Sequence, residues 1–150
     1  MTEFPNFRAL SQRILSDDWG ILTKHEFELL RRDGSWQRQT RETYDRGNGA
    51  TCLLYNEATD CVVLTRQFRL PVFVNSGVAA LIETPAGLLD GADAEERMRA
   101  ELMEETGFQV GDLTHLFDVY MSPGSVTEYL AFFAGAYEAS NRRDDGVGNA

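Results

Sequence analysis

Apolar residues alternate in part with polar ones over Ile21–Leu30, at Ile21, Leu22, His25, Phe27 and Leu29, which is the two-residue period of a half-buried strand. The run leads into Asp33-Gly34, a hairpin-turn pair. Residues 35–44 form a polar but β-tolerant return arm, and Gly47-Asn48-Gly49 breaks the chain. Residues 50–55 then read as a buried strand, 56–60 as a turn and 61–65 as its partner. After a loop, residues 80–84 make a short strand. The one clear helix follows: Asp93 caps it, Glu96 completes a capping box, Met98 and Leu102 form its apolar stripe, and Gly107 sits at a left-handed stop. Residues 113–121 and 128–137 read as two further strands around Ser122-Pro123-Gly124-Ser125. Mostly strand with one helix predicts an α+β domain.

Composition narrows the class. At 150 residues and 43% hydrophobic content the chain suits one domain with a real core. Acids outnumber bases 24 to 14, a net charge of −10, and a surface that negative repels a phosphate backbone, which argues against nucleic-acid partners. Cys52 and Cys61 lie in β-favouring runs and read as buried free thiols rather than a disulfide. The start Met1-Thr2-Glu3-Phe4-Pro5 has no basic, apolar leader, and no run approaches the roughly 18 apolar residues of a membrane span. The expectation is a cytoplasmic protein with no membrane partner.

The chemistry is concentrated in the helix. At about 100° per residue, Glu101, Glu104 and Glu105 share roughly a 100° arc of one face. Their neighbours are Leu102, Met103 and Thr106, and no lysine is interleaved. Three unrelieved carboxylates suit an oxygen-seeking dication such as Mg²⁺, which also takes phosphate oxygens. A merely solvated acidic face is the plainer alternative, but the tight glycine loop ahead of the helix favours the metal. His25 and His115 read as strand residues, since no histidine cluster exists.

The stretch from Gly87-Leu88-Leu89-Asp90-Gly91 through Glu101-Leu102-Met103-Glu104-Glu105-Thr106-Gly107-Phe108 resembles the Nudix box. Its second half matches residue for residue. In the first half Asp93 takes the place of the first Glu, one residue short in spacing, and Ala100 occupies the arginine slot. Arg99 stands just before it and Arg97 one turn before Glu101, so the ion pair that braces the box is expected to be rebuilt differently. Tyr44-Asp45-Arg46-Gly47-Asn48-Gly49-Ala50, Arg66-Gln67-Phe68-Arg69, Ile82-Glu83-Thr84-Pro85-Ala86 and Tyr120-Met121-Ser122-Pro123-Gly124 extend the resemblance over nearly the whole chain. They are similar to the nucleoside-diphosphate-sugar branch, most of all to the bacterial GDP-mannose pyrophosphatases.

The resemblance implies a Nudix fold, an α/β/α sandwich with a mixed sheet and the loop-helix of the box, in a domain-swapped homodimer. It implies an N-terminal hairpin region over residues 1–46, swapped or dimerising, and a Nudix domain over 47–150. In the family a further loop acid, a closing strand and a C-terminal helix follow. Here the sequence stops at Val147-Gly148-Asn149-Ala150, so the domain is expected to be C-terminally incomplete. The implied reaction is Mg²⁺-dependent hydrolysis of GDP-mannose to GMP and mannose 1-phosphate, with Mn²⁺ as a substitute ion. An ADP-ribose pyrophosphatase or a weakly catalytic nucleotide-binding module are the alternatives. The implied metal ligands are the Ala86 carbonyl, Glu101 and Glu105, with Glu104 as a further ligand or charge partner. The implied substrate contacts are Trp19, Thr40, Arg41, Glu42, Arg69, Ala86, Gly87, Leu88, Glu105 and Glu128. Of these, residues 40–42 reach across from the partner subunit, and Thr40 replaces what is often a lysine. Trp19 is an aromatic that can stack on a base, and Arg66 and Arg69 suit a diphosphate.

Overall fold

The computed structural model describes residues 4–143. The chain divides into two compact units, one of residues 1–47 and 120–128, the other of residues 48–119 and 129–150. The expectation about the C-terminal end falls on residues 144–150, outside the described residues.

The first unit is a three-stranded antiparallel sheet, β1 (Phe7–Asp17), β2 (Ile21–Leu30) and β3 (Trp36–Asp45), in that order. The expected hairpin is β2–β3, in register from Ile21 opposite Asp45 to Leu30 opposite Trp36. Asp33 Oδ1 accepts from the Ser35 amide (2.9 Å) and hydroxyl (2.6 Å), closing its turn. Sequence reasoning did not assign β1. Its pairing with β2 shifts register between Ala9 and Ser11 and again between Ile14 and Ser16, and such bulges scramble the alternation that marks a strand.

The second unit is a mixed sheet centred on β4 (Gly49–Asn56). On one edge β10 (Tyr129–Ala136) runs parallel to it, followed outward by β9 (Leu113–Tyr120). Its other edge is shared by β5 (Cys61–Val63), opposite residues 54–56, and β8 (Ala86–Leu88), opposite residues 49–51. The expected strand over 61–65 breaks at Leu64: β6 (Thr65–Gln67) pairs instead with β7 (Leu81–Glu83). Between β6 and β7 lies α1 (Leu70–Ser76), also unassigned from sequence. It is only two turns long, and its Leu-Pro-Val-Phe-Val run lacks a polar face.

The helix α2 (Ala94–Thr106) is capped by Asp93, whose Oδ1 accepts from the amides of Glu95 (3.0 Å) and Glu96 (3.2 Å). It stops at Gly107, whose φ of 74° is the left-handed value that glycine adopts without a Cβ penalty. Its inner face places Met98 and Leu102 in one apolar core with Ala50, Cys52, Leu54, Phe108, Leu113, Ala131 and Phe133. Burial pushes the Cys52 thiol up to about 12. Cys61 was expected to be buried too. It is exposed, because β5 is an edge strand, and both thiols are free. Among the described residues no helix is long and apolar enough to cross a membrane.

Candidate active site

The second unit carries the acidic centre. Asp90 and Gly91, both with left-handed backbone (φ 49° and 81°), turn the chain from β8 into α2, which sets β8 alongside the helix. Two staples join them. Glu105 Oε2 accepts from the Ala86 N–H at 3.1 Å. Arg97 Nε donates to the Leu88 carbonyl at 3.1 Å. Between the staples Glu101 lies against Gly87 so closely that a Cβ there would fall 2.0 Å from its Oε1. Ala86, Gly87, Leu88, Glu101 and Glu105 are thus brought together.

The charge relief the sequence seemed to lack comes from Arg97, one turn before Glu101. Its guanidinium pairs with Glu101 Oε1 and stands 3.7 Å from Glu104 Oε1. Arg99 goes elsewhere, to Glu95 at 2.6 Å and to the carbonyls of Val110 and Gly111. Burial pushes the Glu101 carboxyl above its usual range, Arg97 pulls it down, and Glu104, Glu105 and Asp90 add to the upward push. Gln67 donates to Glu105 Oε1 at 2.6 Å. Arg97, noted in the sequence as standing one turn before Glu101, supplies the rebuilt ion pair. Gln67 is a site residue to which sequence reasoning gave no role.

Among the described residues no three His, Cys, Asp or Glu side chains converge as a ready cation cage. The donor set still fits a hard dication: Glu105 is fixed to the Ala86 N–H of β8, and Glu101 is held by Arg97 in the space that the missing Gly87 side chain leaves. Beside Glu105 opens a cleft of about 400 Å³ lined in part by Thr65, Arg66, Gln67 and Thr106. Arg69 donates from Nε to Glu83 Oε1 at 2.5 Å at the start of α1.

The first unit holds the other predicted residues. Trp19, 72% exposed, sits at the β1–β2 turn. The Arg46 guanidinium stands 5.6 Å from its ring centroid and donates to Glu128 Oε1 at 2.8 Å. Arg46 therefore joins Trp19 to Glu128, a contact across 82 residues that no local pattern shows. Thr40, Arg41 and Glu42 lie mid-β3, opposite Glu26, His25 and Lys24. His25 Nε2 is hydrogen-bonded to the Thr43 hydroxyl and His115 Nε2 to Asp118, both at 2.8 Å.

Residues 6–44 match the family described as the GDP-mannose pyrophosphatase NudK N-terminal domain. Residues 45–147 match the NUDIX domain. A GDP-mannose pyrophosphatase of Pectobacterium atrosepticum is 53% identical over 140 residues, 93% of this chain and 72% of that one. Its counterpart in Klebsiella pneumoniae is 48% identical over 144 residues, 95% of this chain and 73% of that one. A solved structure described as an ADP compounds hydrolase aligns with a TM-score of 0.69 at 17% identity, covering 100% of this chain and 77% of its own. At that identity the likeness speaks for the fold alone.

Proposed function

The chain belongs to the NUDIX family, and from that premise we propose that it hydrolyses GDP-mannose to GMP and mannose 1-phosphate. The observation that carries the reading is the pair of staples holding Glu101 and Glu105 against the β8 backbone. Its substrate follows the names of its relatives from both bacteria. Water adds across the diphosphate: its oxygen joins one phosphorus, and the bridging oxygen leaves with the other and takes up a proton.

The Ala86 carbonyl, Glu101 and Glu105 would hold Mg²⁺, or Mn²⁺ in its place, with Glu104 as charge partner. Such an ion supplies neutralisation of the diphosphate and a more acidic water. Arg69 and the backbone of Ala86, Gly87 and Leu88 orient the diphosphate, and Arg66 supplies positive charge along the cleft beside Glu105. Trp19 and Glu128 take the nucleotide-sugar. Residues 1–46 act as a dimerising arm on the 47–150 catalytic region, with Thr40, Arg41 and Glu42 serving the partner's substrate. Support for the arm is the exposed apolar series Phe7, Leu10, Ile14 and Leu15 on β1. The enzyme works in the cytoplasm, in keeping with two free thiols.

Incubation with Mg²⁺ and GDP-mannose, with products separated by chromatography, should give GMP and a hexose phosphate. Release of inorganic phosphate or free mannose overturns the reaction, and faster cleavage of ADP-ribose overturns the substrate. Glu105→Gln should lower turnover by at least about a hundredfold, the scale of a lost ligand worth several kcal/mol. Half-activity in that variant removes Glu105 from the ligand set.

A further inference from the structure

We infer that Gln67 is a positioning residue: its side-chain amide sets the Glu105 carboxylate in the orientation that receives the cation. The inference rests on the ligand set proposed above.

Gln67 reaches the acid from a small ribbon. β6 and β7 pair antiparallel, with Thr65 opposite Glu83 and Gln67 opposite Leu81. Residues two apart on a strand share a face, so Thr65 and Gln67 lie side by side. The Thr65 hydroxyl donates to the Glu83 carbonyl (3.3 Å) and accepts from Gln67 Nε2 in a long contact of 3.5 Å. A primary amide has a second N–H, and here it goes to Glu105 Oε1 at 2.6 Å. A carboxylate only accepts, so the nitrogen end of the amide must face it.

Glu105 is therefore held from two strands. On β8 the Ala86 N–H donates to Oε2 at 3.1 Å. That stretch is itself tied to β4, because the Pro85 carbonyl accepts from the Cys52 N–H (3.1 Å) and the Thr51 hydroxyl (3.0 Å). On β6 Gln67 holds the other oxygen. A carboxylate held at one oxygen can swing about that contact, whereas one held at both has its plane fixed. Each oxygen that accepts one bond keeps a lone pair for an ion. Fixing the acid in advance removes the rotamer freedom that a glutamate would otherwise lose on binding.

The choice of a neutral amide matters. Glu101 shares its charge with the Arg97 guanidinium. Gln67 and Ala86 orient Glu105 with uncharged N–H groups, so the acid keeps its full charge for a dication. Hydrogen-bond partners of ligating groups typically change metal affinity about 10–100-fold when removed.

The test uses the full chain and Mn²⁺ without substrate, with the free ion followed by electron paramagnetic resonance. Gln67→Met keeps the length of the side chain but has no N–H to donate. It should weaken Mn²⁺ binding at least about tenfold, with a circular dichroism spectrum and melting curve like the parent's. With GDP-mannose at saturating Mg²⁺, the same variant should act on kcat more than on KM. Gln67→Asn keeps an amide but is one carbon short of Glu105, and should weaken Mn²⁺ binding as well. It carries the comparison if Gln67→Met fails to fold. Mn²⁺ binding unchanged or tighter in a folded variant overturns the inference, and the ligand set stands if Glu105→Gln weakens it. A loss confined to KM also overturns it, since Gln67 would then be a substrate contact. Mn²⁺ binding unchanged in Glu105→Gln overturns the ligand set and the inference together.

Discussion

The β4-centred sheet and the β1–β3 sheet are two solutions to holding strands together. In β4, every residue from Gly49 to Leu54 except Leu53 is buried, with α2 packed on it. In β1, all eleven residues are exposed. That sheet is held by its backbone ladder and by surface pairs: Arg38 with Glu26 at 2.5 Å, Arg8 with Glu28 at 3.8 Å, and the Phe7 and Phe27 rings at 5.6 Å. Such pairs contribute roughly 0.2–1 kcal/mol each, whereas burying one leucine contributes about 1.5–3 kcal/mol. Shape can be specified without a core; stability cannot. The exposed sheet is therefore the one that gains from an added cover.

The contrast should appear most strongly in core truncation. Leu102→Ala, at a position with 0% exposure, should cost about 2–5 kcal/mol in urea unfolding. Gln12→Ala on β1, an exposed position outside the apolar series, should stay within about 0.5 kcal/mol. Equal losses would erase the distinction between the two sheets.

A middle-sized effect belongs to the cap of α2. Asp93→Ala should cost about 1 kcal/mol, since the Glu95 and Glu96 amides lose their acceptor. No loss would mean that tertiary packing alone sets the helix start.

The smallest effect tests the β2–β3 turn. The Ser35 hydroxyl and amide hold the Asp33 carboxyl below its usual range. A depressed carboxylate stabilises the fold above its ordinary pKa, and the contribution is lost as pH falls. The stability difference between the parent and Asp33→Ala should be constant from pH 7 to about 5 and shrink below that. A difference that widens on acidification would contradict the assignment.

What could be read from sequence was local. The ends of α2 were legible because Asp93 and Gly107 act on their immediate neighbours, and the β2–β3 turn was legible from Asp33-Gly34. The acids Glu101, Glu104 and Glu105 were legible by helical spacing. β1 and α1 escaped because bulges in one and an all-apolar run in the other hide their periods. Cys61 looked buried by composition, and only strand order reveals an edge. The Arg46–Glu128 pair has no local trace, because a parallel bridge between distant segments creates it.

The close approach at Gly87 also bears on inheritance. Every missense change in a glycine codon adds a Cβ, and here it would meet the Glu101 carboxyl at 2.0 Å. The far end of a flexible side chain can step aside, so such an allele keeps its fold while moving the acid that we propose as a metal ligand. In a variant library this codon is where protein abundance and enzyme activity part company. At Gly20 the obstacle includes a backbone carbonyl at 2.8 Å, which cannot step aside, and the same mutation would lower abundance as well.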